Sequence, residues 1–361
     1  MPTPSFRITV ACALLAAAAS FADAQGAPAG AEGDFVAKDF VFRSGDTMPE
    51  LRLHYTTLGK PARDASGRVT NAVLILHGTT GSGKQFLLPQ FAGVLYGPGQ
   101  LLDTARYYVI LPDGIGHGKS SKPSDGLRAR FPHYEYADMV AAQHLLLVDG
   151  LHVNHLRLVM GTSMGCMHAW MWGEAYPGFA DALMPLACEP VQIAGRNRIM
   201  RTMIMDAIRQ DPAWDHGNYT APPPGMKTAL DVLMIMSSSP LTMQKQWPTR
   251  DAADSAYHAF IAARFPVTDA NDFLYAFDAS RNYDPSGALA TIRVPVMAVN
   301  SADDQINPPE LGIMEAEIRK VPKGRYVLLP ITDQTRGHGT HTLAAIWKGY
   351  LEELLKTSSA P

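Results

Sequence analysis

The chain has 361 residues, 47% of them hydrophobic, and a formal net charge of −3. That length suits one large α/β domain, or one with an inserted subdomain, and it buries a substantial core. A near-neutral balance lacks the basic face that nucleic-acid binding requires, so no nucleic-acid partner is expected.

At the N-terminus, Arg7 precedes an uncharged run over residues 8–20, and Ala22-Asp23-Ala24 offers a small-x-small cleavage site before Gln25. The pattern predicts a secretory signal peptide over residues 1–24, cut after Ala24. The run is too short and alanine-rich for a spanning helix, although an uncleaved anchor is the competing reading of the same residues. No later stretch is long and apolar enough to span a bilayer, so no membrane partner is expected after cleavage. The mature chain is therefore expected in the periplasm or secreted. Losing Arg7 and Asp23 together leaves the formal charge at −3. Of the three cysteines, Cys12 leaves with the signal; Cys166 and Cys188 remain, as a disulfide or as two buried thiols, and the sequence favours neither.

Residues 25–34 are rich in Ala and Gly and are predicted to be flexible. Residues 35–42 and 51–58 then alternate apolar and polar side chains, as an antiparallel hairpin does. Apolar runs at 72–76, 107–111, 156–160, 182–187, 294–300 and 325–329 have the character of buried parallel strands. Helical stretches at 136–149, 166–174 and 342–355 separate or follow them, which predicts a mostly parallel sheet with helices on both faces. Residues 189–285 break this rhythm. They are rich in Met and Pro, contain Pro222-Pro223-Pro224-Gly225, and hold helical runs without a clear strand. An inserted helical cap is the economical reading, between core segments 35–188 and 286–357. Its methionines (Met200, Met203, Met205, Met234, Met236, Met243) are first of all core, with some free to line a pocket because Met adapts to irregular apolar shapes.

The strand at 156–160 stops at Gly161-Thr162-Ser163-Met164-Gly165. This G-x-S-x-G pattern, an apolar strand before it and a helix after it, is a nucleophile elbow with Ser163 at its apex. The following helix aims its free N–H groups and positive dipole end at the place where an oxyanion would form. An activated serine needs a base, and the base needs an orienting carboxylate. After the strand at 294–300 come Asp303 and Asp304; after the strand at 325–329 come Gly337-His338-Gly339-Thr340-His341. His338, between glycines on the loop, is the expected base, and His341, in the first turn of the last helix, is the runner-up. Chemistry alone leaves Asp303 and Asp304 open. The oxyanion hole should use the backbone N–H of Met164 and of Thr79, in the loop His77-Gly78-Thr79-Thr80-Gly81. Losing such a donor costs about 3 kcal/mol of transition-state stabilisation. In the loop 113–120, His117 has the look of turn architecture.

These residues resemble the α/β-hydrolase superfamily, and within it the homoserine O-acetyltransferase-like branch. Asp138-Met139-Val140-Ala141-Ala142-Gln143 is similar to that branch's D-M-V-x-x-Q helix, and the elbow to its G-x-S-M-G-G-M, with Cys166 replacing a glycine. The cap segments 207–214 and 269–275 resemble family segments too. The resemblance runs from about residue 35 to 355 and implies an α/β-hydrolase fold with a helical cap. It selects Asp304, which matches the family's D-x-x-x-P-P register. It also implies a homodimer through the cap. In the branch, an arginine two residues before the cap's Ala-Ile and an aspartate after the histidine hold an amino-acid substrate. Here the matching substrate-binding positions are Met205 and Gly339. Both polar anchors are missing, so selectivity for a zwitterion should be lost.

The expected function is an exported serine hydrolase that cleaves a small carboxylic ester through Ser163, His338 and Asp304, with no metal and no organic cofactor. The alternative is an O-acyltransferase acting on a different hydroxyl acceptor. A hydrolase-fold protein that only binds is the third reading.

Overall fold

The computed structural model describes residues 30–358, so the expected signal peptide lies outside the described residues. Strand β1 (Ala31–Val41) pairs antiparallel with β2 (Thr47–Leu58), starting with Ala31 opposite Thr57. This corrects the expectation of a flexible 25–34 segment for Ala31 to Asp34. The ladder is made by backbone groups, and β2 is long enough to offer partners to small side chains as well as large ones.

The remaining strands are β3 (Ala72–Leu76), β4 (Tyr108–Pro112), β5 (Leu158–Thr162), β6 (Leu183–Leu186), β7 (Val296–Ser301) and β8 (Gly324–Leu329). They form one eight-stranded sheet in the order β1-β2-β4-β3-β5-β6-β7-β8. Pairing is antiparallel as far as β4 and parallel from β4 through β8. Every residue of β3 to β7 is buried, whereas β8, at the sheet's edge, is only partly covered. That explains why the central strands are continuous apolar runs without alternation.

Helices α1 (Pro89–Leu95), α2 (Tyr136–Leu145) and α3 (Met164–Ala175) come next in the core. The segment expected to be helical to residue 149 leaves the α-helix at Leu145 and continues as a π-turn over Leu146–Gly150. Between β6 and β7 lie only helices: α4 (Gly195–Arg209), α5 (Gly225–Ser237), α6 (Pro240–Gln246), α7 (Arg250–Arg264) and α8 (Ala270–Asp278), with short 3₁₀ turns. The short α9 (Ile313–Glu317) and the closing α10 (Ala344–Thr357) complete the chain.

The sheet is covered on both sides. One face packs Met139, Val140, Trp170 and Trp172 from α2 and α3; the other packs Phe91, Leu95, Trp347 and Leu351 from α1 and α10. Burying a large side chain of this kind stabilises by about 1.5–3 kcal/mol. The cap has a separate core that joins Ile204 and Ile208 of α4, Met226 and Leu230 of α5, and Phe273 and Phe277 of α8. Among the described residues no helix is long and apolar enough to cross a membrane. Cys166, in the first turn of α3, is joined by a disulfide to Cys188, just past β6.

Candidate active site

Ser163 lies at the break between β5 and α3 with φ 55° and ψ −112°, a region that side-chain-bearing residues rarely occupy. Two glycines make this turn sterically feasible. A Cβ at Gly161 would sit 2.0 Å from the Gly165 carbonyl oxygen, and one at Gly165 would sit 2.0 Å from that of Leu76. The Ser163 N–H donates to Leu186 O at 2.9 Å, which ties the apex to the end of β6.

The acid and base arrive on the loops after β7 and β8. His338 Nε2 accepts from the Ser163 hydroxyl at 2.9 Å, and its Nδ1–H donates to Asp304 Oδ2 at 2.8 Å. Asp304 has no exposed surface. Burial would raise its carboxyl, but the His338 charge, the His338 hydrogen bond and those from Asn307 and the Ile306 N–H together hold it below the usual carboxylate range. The Oδ1 atom accepts from Ile306 N–H at 2.8 Å, and Asn307 Nδ2 donates to Oδ2 at 3.1 Å. Asn307 also donates to Ala187 O at 3.2 Å, so it braces the acid against the end of β6.

Asp303 faces elsewhere. It accepts from Ser301 Oγ at 2.6 Å and from the Gly337 N–H at 2.8 Å, fixing the backbone of the histidine loop. His341 lies in a 3₁₀ turn over Gly339–Thr342 ahead of α10, which corrects its expected place in the helix's first turn. Burial, with the nearby His338 charge, pushes its imidazole down to about 3, so it stays neutral. Its ring packs edge-on against His338 at 4.9 Å between centroids, and makes no bond to Ser163.

The loop after β3 runs along the serine: a Cβ added at Gly78 would be 3.3 Å from Ser163 Cβ. Among the described residues, neither the Thr79 nor the Met164 N–H donates to a protein acceptor. Of two further residues expected at the site, one is placed differently. Met205 is 2% exposed inside the cap's apolar core, which corrects its expected substrate-binding position. Gly339 is half-buried, and a Cβ there would meet only Arg336 Cβ at 3.8 Å, so a side chain fits.

Beside the acid loop is a cavity of about 450 Å³ whose walls include Met167, Val191, Ile193, Ile306, Asn307 and Glu189. Burial, aided by the negative charges of Glu315 and Asp304, pushes the Glu189 carboxyl up to about 8. Sequence reasoning missed Asn307 and the role of Asp303. Only the knowledge that Asp304 is the acid, and must have its second oxygen satisfied, points toward an amide nearby. No group of three or more His, Cys, Asp or Glu residues able to hold a metal occurs among the described residues.

A family model described as the alpha/beta hydrolase fold matches residues 71–331. A homoserine O-acetyltransferase of Pelobacter propionicus is 31% identical over 340 residues, covering 83% of this chain and 89% of its own. Among solved structures, a homoserine O-acetyltransferase from Bacillus anthracis superimposes with TM-score 0.79 at 20% identity, covering 90% of this chain and 97% of its own. The acetyl esterase MekB superimposes with TM-score 0.77 at 23% identity, covering 91% and 97%. The chain therefore belongs to the α/β-hydrolase fold family, in its homoserine O-acetyltransferase-like branch, and is an enzyme of that class.

Proposed function

We propose that this enzyme is an exported serine hydrolase that cleaves a small carboxylic ester through an acyl-enzyme. The observation that carries the reading is the hydrogen-bonded chain from Ser163 through His338 to Asp304, presented on the elbow. His338 takes the Ser163 proton as Oγ attacks the ester carbonyl. The Thr79 and Met164 N–H groups hold the resulting oxyanion. His338, now charged and steadied by Asp304, protonates the leaving alcohol, and then activates a water that releases the acid. None of these steps calls on a metal or an organic cofactor. Export is supported by the N-terminal pattern of residues 1–24 and by the Cys166–Cys188 disulfide, a bond that persists in oxidising compartments.

The test is turnover of p-nitrophenyl esters of increasing acyl length by the mature protein beside Ser163→Ala. Turnover should fall by about 10⁴-fold or more in the variant, and the length profile should rank the acyl pocket. Equal turnover in both would refute the reading.

One observation favours acyl transfer as a second reading: a curated relative at 31% identity is a homoserine O-acetyltransferase. The two reactions share the acyl-enzyme and differ in the nucleophile that reaches it. If transfer is the native reaction, adding small hydroxyl acceptors diverts acyl groups from water. Replacing Gly339 by Asp, at a position where a side chain fits, should then improve use of amino-acid acceptors.

A further inference from the structure

Two histidines on the oxyanion side touch neither Ser163 nor the acid, and the mechanism above does not use them. His77 is 3% exposed and His117 6%. Their rings lie 5.0 Å apart, behind the loop that carries Thr79. The hydrogen bonds of His77 admit one tautomer. The Gly114 N–H donates to Nε2 at 2.9 Å, so Nε2 is the acceptor and Nδ1 bears the proton. Nδ1–H then donates to Gly78 O at 2.8 Å. Burial, with the neighbouring His117, pushes the His77 imidazole down to about 3, and the ring keeps this neutral form throughout the working pH range.

The target of that bond matters. Gly78 O belongs to the peptide whose N–H is that of Thr79. A trans peptide is planar, so its C=O and N–H point to opposite sides, and fixing one fixes the other. No cis peptide occurs among the described residues. The Gly81 N–H accompanies His77 on the same oxygen at 2.9 Å. His117 faces the next peptide: its Nε2 is 2.7 Å from Thr79 O and its Nδ1 is 2.8 Å from Ile115 O, and the buried ring, whose charged form burial disfavours, donates to one of the two. The peptide plane before the Thr79 Cα is thus gripped by an imidazole, and the plane after it is gripped when the His117 proton is on Nε2.

We propose that His77 is a positioning residue that aims the Thr79 N–H at the oxyanion, with His117 holding the following peptide. The inference rests on the serine-hydrolase reading above. A donor fixed before the reaction needs no reorganisation when charge develops, so loss of the grip should appear in kcat more than in KM.

The side chains available make a sharp test. Asparagine can place an N–H close to where Nδ1 was, and so keep the bond to Gly78 O. Glutamine reaches toward the Nε2 position and can keep only the bond from Gly114. The experiment compares His77→Ala, His77→Asn, His77→Gln, His117→Ala and Ser163→Ala with wild type. It measures kcat and KM on p-nitrophenyl acetate, the inhibition constant of an aryl boronic acid that forms a tetrahedral adduct on Ser163, and Tm. We expect His77→Ala and His77→Gln to lose about 10²-fold in kcat, with KM little changed and boronate affinity falling in parallel. His77→Asn should recover most of that loss, and His117→Ala should lie between. If the Ala, Asn and Gln variants lose activity equally, or only in proportion to the fraction folded, the positioning role is overturned. Turnover that survives in Ser163→Ala overturns the underlying reading and this inference with it. Turnover that depends on Ser163 but ignores His77 overturns this inference alone.

Discussion

In the core, a hydroxyl, an imidazole and a carboxylate lie within 2.9 Å of one another in sequence along a chain of hydrogen bonds, and the carboxylate's oxygens have further donors. In the cap, α4, α5 and α8 meet through Met, Leu, Ile and Phe side chains. The cap's buried Arg201 is held by neutral groups: Asn197 Oδ1 at 3.0 Å, Ser280 Oγ at 3.1 Å and the Phe277 ring at 5.5 Å. Directional bonds determine positions to within a few tenths of an ångström, because a misplaced buried polar group has lost its partner. Apolar contacts are less particular, and volume-conserving exchanges among them usually cost below about 1.5 kcal/mol. The chemistry is therefore expected to be intolerant in the core, while selectivity shifts by repacking the cap.

The largest break in that comparison comes at the two adjacent acids. Asp304→Asn keeps the shape but cannot steady the charged imidazole or its tautomer, and kcat should fall by about 10⁴-fold. Asp303→Asn still reaches the Gly337 N–H through its amide oxygen, and should fall far less. Steady-state rates on one p-nitrophenyl ester decide the matter, and equal losses would mean that the acid has been misassigned.

A smaller effect is expected from the covalent link between α3 and the end of β6. Replacing Cys166 and Cys188 together by Ala should cost about 3 kcal/mol in denaturant unfolding, the loop-closure value for a crosslink of this span. Because Asn307 braces Asp304 against Ala187, next to Cys188, kcat should decline as well. A stability change without a rate change would uncouple the two.

The last effect is a pH slope. The Glu189 carboxyl sits near 8 in the folded chain against 4.5 for the free group. Between those values the unfolded chain gives up a proton that the folded one keeps, so this residue's contribution to stability falls as pH rises. Glu189→Gln removes that term, and its Tm advantage over wild type should widen from about pH 4.5 to 8 and then level. A constant difference across that range would contradict the assignment.

Much of the site was legible from residue patterns. Gly161 and Gly165 are required by close approach of backbone, and glycines with so strict a duty stand out in a sequence. The central strands were legible, to within about two residues at each end, because β3 to β7 are buried throughout and therefore continuous apolar runs. The start of β1 was not, since Ala31 to Asp34 carry no alternation and are held by their partner strand. Met205 was misplaced because a family position names a location along the helix and not the neighbours around it. His77 and His117 act through backbone oxygens, and no spacing rule encodes a bond to a carbonyl.

The loops after β7 and β8 meet as two rungs: Asp303 with the Gly337 N–H, and Asp304 with the His338 imidazole. Inserting a residue between Asp303 and Asp304, or between Gly337 and His338, would break the register of the two rungs and offer the imidazole's place a peptide. Substitutions can accumulate around them, but descendants of this sequence should keep the count between acid and base fixed at this junction, and engineered insertions belong in the cap.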